Sequence, residues 1–518
     1  MTNSLCALLG SHAATRGDAI ALEFGDRLTS FAQLDAQSFA AARALAGVGV
    51  LPGQRIGYLG KNSDRYFELL FAASKAGAVM VPIGWRLTAP EIAFLIDDSE
   101  ISVIFFEPAF LDMVERLAAD RTLKCISTEG PIGGVQGYEQ WRDGSDMNGG
   151  ALPPVDVEAP IIQLYTSGTT GRPKGAMLTH CNIFPLRPLC AAENIAWDQW
   201  HGDDVSLLTM PVAHIAGTGW GLVAFYNGAR SIIMPEFDAG QILDLISSEQ
   251  ISRIFLVPTA IQAVLRHADV VKSDFSRLKY ILYGASPIPL GLLREAIDVF
   301  GCGFVQNYGM TETCGTVVSL GPEDHDANGG ERLAAAGRAL PGVELKIVDE
   351  RLAPVAAGVI GEIMIKSPTT MIGYWKRPEA TADALIGGWM RTGDAGYLDQ
   401  DGYLFVQDRL KDMIISGGEN VYPAEVESTL YSHPDVAEVA VIGIPDDRWG
   451  EAVTAIVVPA NGAVDERELL QWARERLAAY KVPKKVIVRQ ELPRNPSGKI
   501  MRRLLREPFW AGMDRAVN

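Results

Sequence analysis

The chain has 518 residues, 48% of them hydrophobic and 21% charged. A chain of this size can hide roughly three quarters of its unfolded surface, which excludes disordered, collagen-like and disulfide-framework classes. With 46 Lys and Arg against 63 Asp and Glu, the net charge of −17 argues against nucleic acid and anionic membrane surface as partners, while leaving room for a local basic pocket that takes an anionic ligand.

The N-terminus lacks a basic stretch ahead of its short apolar run, so no signal peptide is expected. The best membrane-span candidate, residues 66–85, is interrupted by Lys75, so no integral membrane contact is expected. The six cysteines, Cys6, Cys125, Cys181, Cys190, Cys302 and Cys314, show no CxxC spacing. This predicts buried thiols in a reducing compartment and no zinc site, hence a soluble cytoplasmic protein.

Up to about residue 310, short β-branched runs alternate with longer amphipathic stretches. Strands are predicted at 55–59, 78–82, 101–106, 205–210, 231–234, 253–257 and 279–283, with helices at 31–46, 64–76, 241–249 and 290–300. That alternation predicts βαβ units and mostly parallel sheets. From Gly342 to Val406 short strands at 343–348, 360–366 and 403–406 are separated by Gly, Pro and Asp, the texture of an antiparallel barrel or sandwich. A charge-rich stretch, Asp408–Asp412, then separates about a hundred residues with their own β and α segments, enough for a small α+β domain. Those segments lie at 413–416, 424–431, 436–444, 452–458, 466–480 and 485–489.

The richest chemistry lies in Tyr165-Thr-Ser-Gly-Thr-Thr-Gly-Arg-Pro-Lys-Gly175, which follows the apolar run 161–164. Four Ser/Thr hydroxyls, three glycines and one lysine in eleven residues suit a polyphosphate, because glycine lets backbone N–H groups approach the oxygens and Lys174 supplies counter-charge. The pattern is not GxxxxGK[ST], which disfavours a Walker-type NTPase. This segment resembles the phosphate loop of the adenylate-forming superfamily, which comprises acyl-CoA synthetases, peptide-synthetase adenylation domains and beetle luciferases.

Further segments resemble that superfamily in the same order, from about Phe31 to Arg506. Asn307-Tyr-Gly-Met-Thr-Glu-Thr313 resembles the adenine- and magnesium-binding motif: an aromatic ring can stack on a base, Thr311 can donate to phosphate, and Glu312 suits a hard cation. Gly284-Ala285-Ser286-Pro287 resembles the loop on the adenine's other face. Arg391-Thr-Gly-Asp394 resembles the segment whose aspartate holds the ribose hydroxyls. Asp408-Arg409-Leu-Lys-Asp412 resembles the hinge, with Asp408 as pivot and Arg409 on the ribose. Ser416-Gly417-Gly418-Glu-Asn420 resembles the loop on the thiol side, and Asn495-Pro-Ser-Gly-Lys499 the loop bearing the catalytic lysine.

The fold this resemblance implies is α/β. A large N-terminal adenylation domain, residues 1–407, would comprise two βαβ-type sheet subdomains and a small β-barrel subdomain. A mobile small α+β C-terminal domain, residues 408–518, would turn on a hinge at 408–411. The implied activity is that of an AMP-forming acid–thiol ligase, an acyl-CoA synthetase of medium-chain fatty-acid or 4-coumarate type, with ATP, Mg²⁺ and CoA. Lys499, Thr166 and Glu312 would be catalytic, with Glu312 the metal ligand. ATP or AMP would meet Thr166, Ser167, Gly168, Thr169, Thr170, Lys174, Gly284, Ala285, Ser286, Asn307, Tyr308, Gly309, Met310, Thr311, Asp394, Arg409 and Lys499. Gly417 and Gly418 would face CoA.

The stretch Pro211–Trp220 resembles the acyl-tunnel lining, so His214, Thr218, Gly284, Asn307 and Gly309 are the expected acyl contacts. Two positions depart from common patterns: Thr218 stands where some long-chain members carry a gate aromatic, and Asn307 where many relatives have glycine. With Ala213, Ala216 and Gly217 they favour an apolar acid bulkier than acetate. No carrier domain follows Lys499 and no insertion precedes the hinge, which favours CoA over a carrier-protein thiol or amine acceptor. The expected partners are therefore a small-molecule carboxylic acid, ATP and CoA. No sequence feature sets the oligomeric state, and a homodimer stays open.

Overall fold

The computed structural model describes residues 4–144, 152–166, 172–325, 330–494 and 499–511. Two large sheets, each mostly parallel with an antiparallel edge, dominate it. The seven-stranded sheet runs in the order Gly373–Tyr374, Lys174–Thr179, Pro160–Thr166, Val79–Ile83, Arg55–Leu59, Ile101–Phe106, Lys124–Ser127. The nine-stranded sheet has at its centre Gly303–Met310, Tyr280–Gly284, Arg253–Leu256, Val205–Leu208 and Arg230–Ile233, all parallel. The predicted alternation is thus realised, with helix Asp64–Ala76 and strands Arg55–Leu59 and Ile101–Phe106 at their expected bounds.

Helix Asp64–Ala76 explains why its apolar run is not a membrane span. All its residues are buried, and each of its charged groups has an oppositely charged partner inside the protein. Asp64 pairs with Arg27 at 2.7 Å. Glu68 takes Arg65 at 3.0 Å and Arg142 at 3.1 Å. Lys75 donates to the Asp35 carboxylate at 2.6 Å and to Ser38 Oγ at 2.9 Å. Burying such groups is tolerable only with partners of this kind. Among the described residues no helix is long and apolar enough to cross a membrane.

Strands Glu344–Val348, Gly361–Lys366, Leu385–Ile386, Trp389–Leu398 and Leu404–Arg409 form a five-stranded antiparallel sheet, in which Trp389–Leu398 has three strand neighbours. Beyond it a second five-stranded sheet (Ile414–Ser416, Glu419–Val421, Val436–Asp446, Gly450–Pro459, Lys485–Val488) has its own core, with Val426, Leu430 and Leu469 packed against it. The stretch read at 466–480 is helical only over Glu466–Arg474. The following residues leave the helix so that Leu477, Tyr480 and Val482 reach that core, and tertiary packing overrides local helix preference.

The six cysteines are all free, but only Cys190 is buried and the rest are half-buried, so the expectation of uniformly buried thiols is corrected. Desolvation nevertheless pushes the thiols of Cys302 and Cys314 up to about 12, which leaves them protonated and unreactive.

Candidate active site

The antiparallel edges of the two large sheets bring the motifs together. Strands Pro160–Thr166 and Lys174–Thr179 are a hairpin in which Thr166 and Lys174 are direct partners. The strands on either side of the glycine-rich segment are therefore antiparallel neighbours, which fits the absence of the strand–loop–helix Walker pattern. Ser167, Gly168, Thr169 and Thr170 lie outside the described residues. Across the cleft, Gly303–Met310 and Gly315–Leu320 form a second antiparallel pair, joined by the short turn Thr311–Thr313 that carries Glu312.

Glu312 is 6% exposed. Its Oε1 accepts from Thr166 Oγ1 at 3.2 Å and from Tyr374 Oη at 2.8 Å. The Lys174 ammonium sits 4.5 Å from the centre of the Tyr374 ring, within cation–π range. Thr166, Lys174, Glu312 and Tyr374 therefore form one cluster between the sheets. Tyr374 was missed by sequence reasoning; its only signal is the Gly-Tyr-Trp run at 373–375.

A second cluster holds Tyr308, Asp394 and Arg409. Tyr308 Oη donates to Asp394 Oδ2 at 2.7 Å, and Arg409 Nε lies 2.7 Å from Asp394 Oδ1. Desolvation, then the Asp394 charge, lifts the Tyr308 phenol well above its usual pKa, so it acts as a donor. The Arg391–Asp394 segment lies inside strand Trp389–Leu398 and is not a free turn; Gly393 takes φ +68° there, beside a register shift in the pairing with Gly361–Lys366. Arg409 is the cross-strand partner of Asp394. The charge-rich 408–412 stretch is accordingly a strand end followed by the turn Leu410–Asp412.

Lys499 is exposed at the cleft. Loss of hydration around its ammonium, then the charge of Arg409, lowers its pKa, with Asp394 acting in the opposite sense. The amine thus shares the electrostatic environment of the Tyr308–Asp394–Arg409 cluster. Residues 495–498 of its loop lie outside the described residues.

Gly284, Asn307 and Gly309 lie at the C-terminal ends of adjacent strands, with Gly284 paired to Asn307. A Cβ on Gly309 would come within 1.9 Å of the Gly315 carbonyl oxygen, and one on Gly284 within 2.2 Å of the Asn307 oxygen, so close backbone packing demands glycine at both. Ala285 takes φ +67°, a conformation costing roughly 1–2 kcal/mol for an L-residue. Ser286 follows Ala285 in this loop, while Met310 ends its strand and donates from N to Thr313 Oγ1 at 3.0 Å. The Asn307 amide oxygen accepts from Ser319 Oγ at 3.0 Å.

Beneath these strand ends lies a cavity of about 130 Å³ lined by Ala285, Asn307, Gly309, Ala216, Gly219 and a set of aromatic side chains. Thr218 does not line it. It is buried, with Oγ1 donating to the Val212 carbonyl at 2.6 Å and bonded to Tyr66 Oη at 2.7 Å, so its expected acyl contact is corrected. Helix Ile215–Tyr226 turns Ala216 and Gly219 toward the cavity instead. His214 caps the start of this helix, and desolvation lowers its imidazole pKa to about 4, which makes it neutral near pH 7. It is not among the cavity-lining residues either.

Gly417 and Gly418 take φ +64° and +86° between strands Ile414–Ser416 and Glu419–Val421, the two-residue hairpin turn that favours glycine. Gly417 packs on Trp449, apart from the clusters above.

Asp408 is buried at the junction with the small sheet. Its Oδ2 accepts from the Ala424 N–H at 2.9 Å, and Arg502 Nη1 lies 3.3 Å from Oδ1. Desolvation raises its pKa to about 6 against the opposing pull of Arg502. Because the folded pKa exceeds the unfolded 3.8, the folded state binds more protons and stability falls as pH rises between about 4 and 6. Asp408→Asn is expected to remove that part of the slope, as read from urea midpoints across pH 4–7; an unchanged slope would assign it to other groups.

Residues 9–375 match the AMP-binding enzyme family and residues 425–499 its C-terminal domain. The chain is 41% identical over 494 residues to the fatty acid–[acyl-carrier-protein] ligase ScoC of Streptomyces coeruleorubidus, covering 95% of this chain and 94% of the relative. It is also 41% identical over 493 residues to a feruloyl-CoA synthase of an Amycolatopsis species, covering 95% and 96%. Among solved structures, ATP-bound MatB from Rhodopseudomonas palustris superposes with a TM-score of 0.88 at 31% identity, covering 99% of each chain. With both family regions matched in order and relatives aligned almost end to end, the chain belongs to the AMP-binding enzymes of the adenylate-forming superfamily.

Proposed function

We infer that the protein is an AMP-forming acid–CoA ligase, which joins a hydrophobic carboxylic acid to the AMP portion of ATP with loss of pyrophosphate and then transfers the acyl group to the thiol of CoA with loss of AMP. The observation that carries this reading is the convergence of Thr166, Lys174, Glu312, Asp394, Arg409 and Lys499 around the cleft above an apolar cavity. The acid's carboxylate attacks the α-phosphorus of ATP, forming an acyl-adenylate and releasing pyrophosphate. The reactants are both anionic, so the barrier depends on positive charge placed beforehand. Lys499 and Lys174 supply it, the hairpin from Thr166 to Lys174 holds the leaving pyrophosphate, and Asp394 with Arg409 orients the ribose.

The donor set at Glu312 fits Mg²⁺: one buried carboxylate with a hydroxyl beside it suits an ion held chiefly by substrate phosphates and one protein carboxylate. Mg²⁺ bound there would neutralise phosphate charge.

In this reading residues 1–407 bind ATP and the acid, and residues 408–518 rotate about Asp408. The rotation withdraws Lys499 and brings the Gly417–Gly418 turn to the incoming thiol, so one cleft serves two steps. A cytoplasmic setting, where ATP and CoA are both at hand, fits this reading. The relatives named for feruloyl-CoA, indoleacetate and long-chain fatty acids support an acid bulkier than acetate. A carrier-protein thiol is the second reading, favoured by the relative ScoC, a fatty acid–[acyl-carrier-protein] ligase. A panel of carboxylic acids assayed for pyrophosphate release tests the first step; preference for acetate over every larger acid would sink the substrate reading.

A further inference from the structure

Tyr374 touches both halves of the phosphate cluster, and its backbone is tied to both as well. It lies on the two-residue strand Gly373–Tyr374, which pairs with Lys174–Thr179. Trp375 N donates to the Gly175 carbonyl at 2.8 Å, and Ile372 N to the Met177 carbonyl at 3.1 Å. On the other side, Met371 N donates to the Glu312 carbonyl at 2.8 Å. Tyr374 N itself donates to Thr381 Oγ1 at 2.9 Å. The segment 371–375 therefore bridges the strand that begins at Lys174 and the turn that carries Glu312.

The side chain repeats that bridge. Tyr374 is 7% exposed, and its hydroxyl gives its one proton to Glu312 Oε1, the oxygen that also accepts from Thr166 Oγ1. Two donors on one oxygen fix the rotation of the carboxylate and leave Oε2 for a cation. Desolvation, then the Glu312 charge, raises the phenol's pKa, so it stays protonated and remains a donor. The face of the same ring carries the Lys174 ammonium. A lysine head is a compact point charge on a flexible four-carbon stem, and the ring gives it a fixed aim. Opposite charges in one cluster are thereby held on separate parts of one side chain, and neither is spent on the other.

We propose that Tyr374 is a positioning residue for ATP: its hydroxyl aims Glu312 at the metal ion, and its ring aims Lys174 at the phosphates. The proposal rests on the ligase reading above and adds to that site a residue that none of the motifs contains.

The test measures ATP affinity by titration calorimetry, with Mg²⁺ and with EDTA in its place, for wild type, Tyr374→Phe and Tyr374→Leu. The ratio of the two dissociation constants reads how much the metal ion contributes, without any turnover. Tyr374→Phe keeps the ring and loses a hydrogen bond to a charged group, so this ratio is expected to fall about 10-fold. Tyr374→Leu loses the ring as well. It should bind metal-free ATP about 5- to 30-fold more weakly than Tyr374→Phe, the range for a cation–π contact out of water. A merely structural tyrosine would weaken both affinities alike and leave the ratio unchanged. Circular dichroism checks the fold, and Tyr374→Phe decides the hydroxyl's part whether or not the leucine variant folds. A wild-type ratio near one, a ratio that Tyr374→Phe leaves unchanged, or equal metal-free affinities in the two variants would overturn this assignment alone. Failure of the wild-type protein to bind ATP under either condition would overturn the ligase reading and the assignment together.

Discussion

Lys499→Ala is expected to lower acid-dependent pyrophosphate release by about 10²- to 10³-fold, the usual cost of removing one preorganised charge or donor from a developing anion. The same variant should convert a supplied acyl-adenylate and CoA to thioester at close to the wild-type rate. The asymmetry follows from the electrostatics. Without substrate, the ammonium has lost part of its hydration and lies near the cation Arg409, so it is poised to gain from an arriving polyphosphate. Thioester formation involves no such charge build-up at the α-phosphorus and, in the proposed rotation, takes place with Lys499 withdrawn. Equal losses in both half-reactions would show that the lysine acts on folding or domain placement.

The largest stability effect is expected at Glu68, remote from the chemistry. Its carboxylate side chain is 4% exposed and neutralises Arg65 and Arg142, which are 7% and 9% exposed. The other carboxylates on these arginines, Glu139 and Asp143, are 67% and 58% exposed and contribute little in water. Glu68→Leu leaves two buried guanidiniums short of a partner and should cost about 3–5 kcal/mol, read as a lower urea midpoint. Glu68→Gln, which keeps acceptor geometry, should cost less. A loss below about 1 kcal/mol for Glu68→Leu, the scale of a surface pair, would mean the arginines find other partners.

Much of the fold was legible because its signals are local. The caps and apolar spacing of Asp64–Ala76 lie within one segment, and the segment folds at its predicted bounds. The motif strings also carry their own glycines, hydroxyls and charges, so their order along the chain pointed to the right family. What the sequence could not convey is which of these pieces touch. Glu312 meets Thr166 and Tyr374 across separations of 146 and 62 residues, and Arg502 reaches Asp408 across 94; no local pattern encodes such pairs.

Thr218 was misplaced for a different reason. Helix Ile215–Tyr226 is built from small and apolar residues on every side, so no periodicity indicates which face turns to the cavity, and the hydroxyl found Tyr66 and Val212 instead. The Arg391–Asp394 segment reads as a turn by composition, yet a single left-handed glycine lets it continue as strand.

The central claim is that one cleft joins an acid first to AMP and then to CoA. The most direct measurement follows pyrophosphate, AMP and free CoA thiol together in one reaction of protein, ATP, Mg²⁺, CoA and the acid that the panel favours. The account predicts that all three change in equal amounts, and only when the acid is present. Pyrophosphate release with the thiol untouched would contradict it and assign the acyl group to another acceptor.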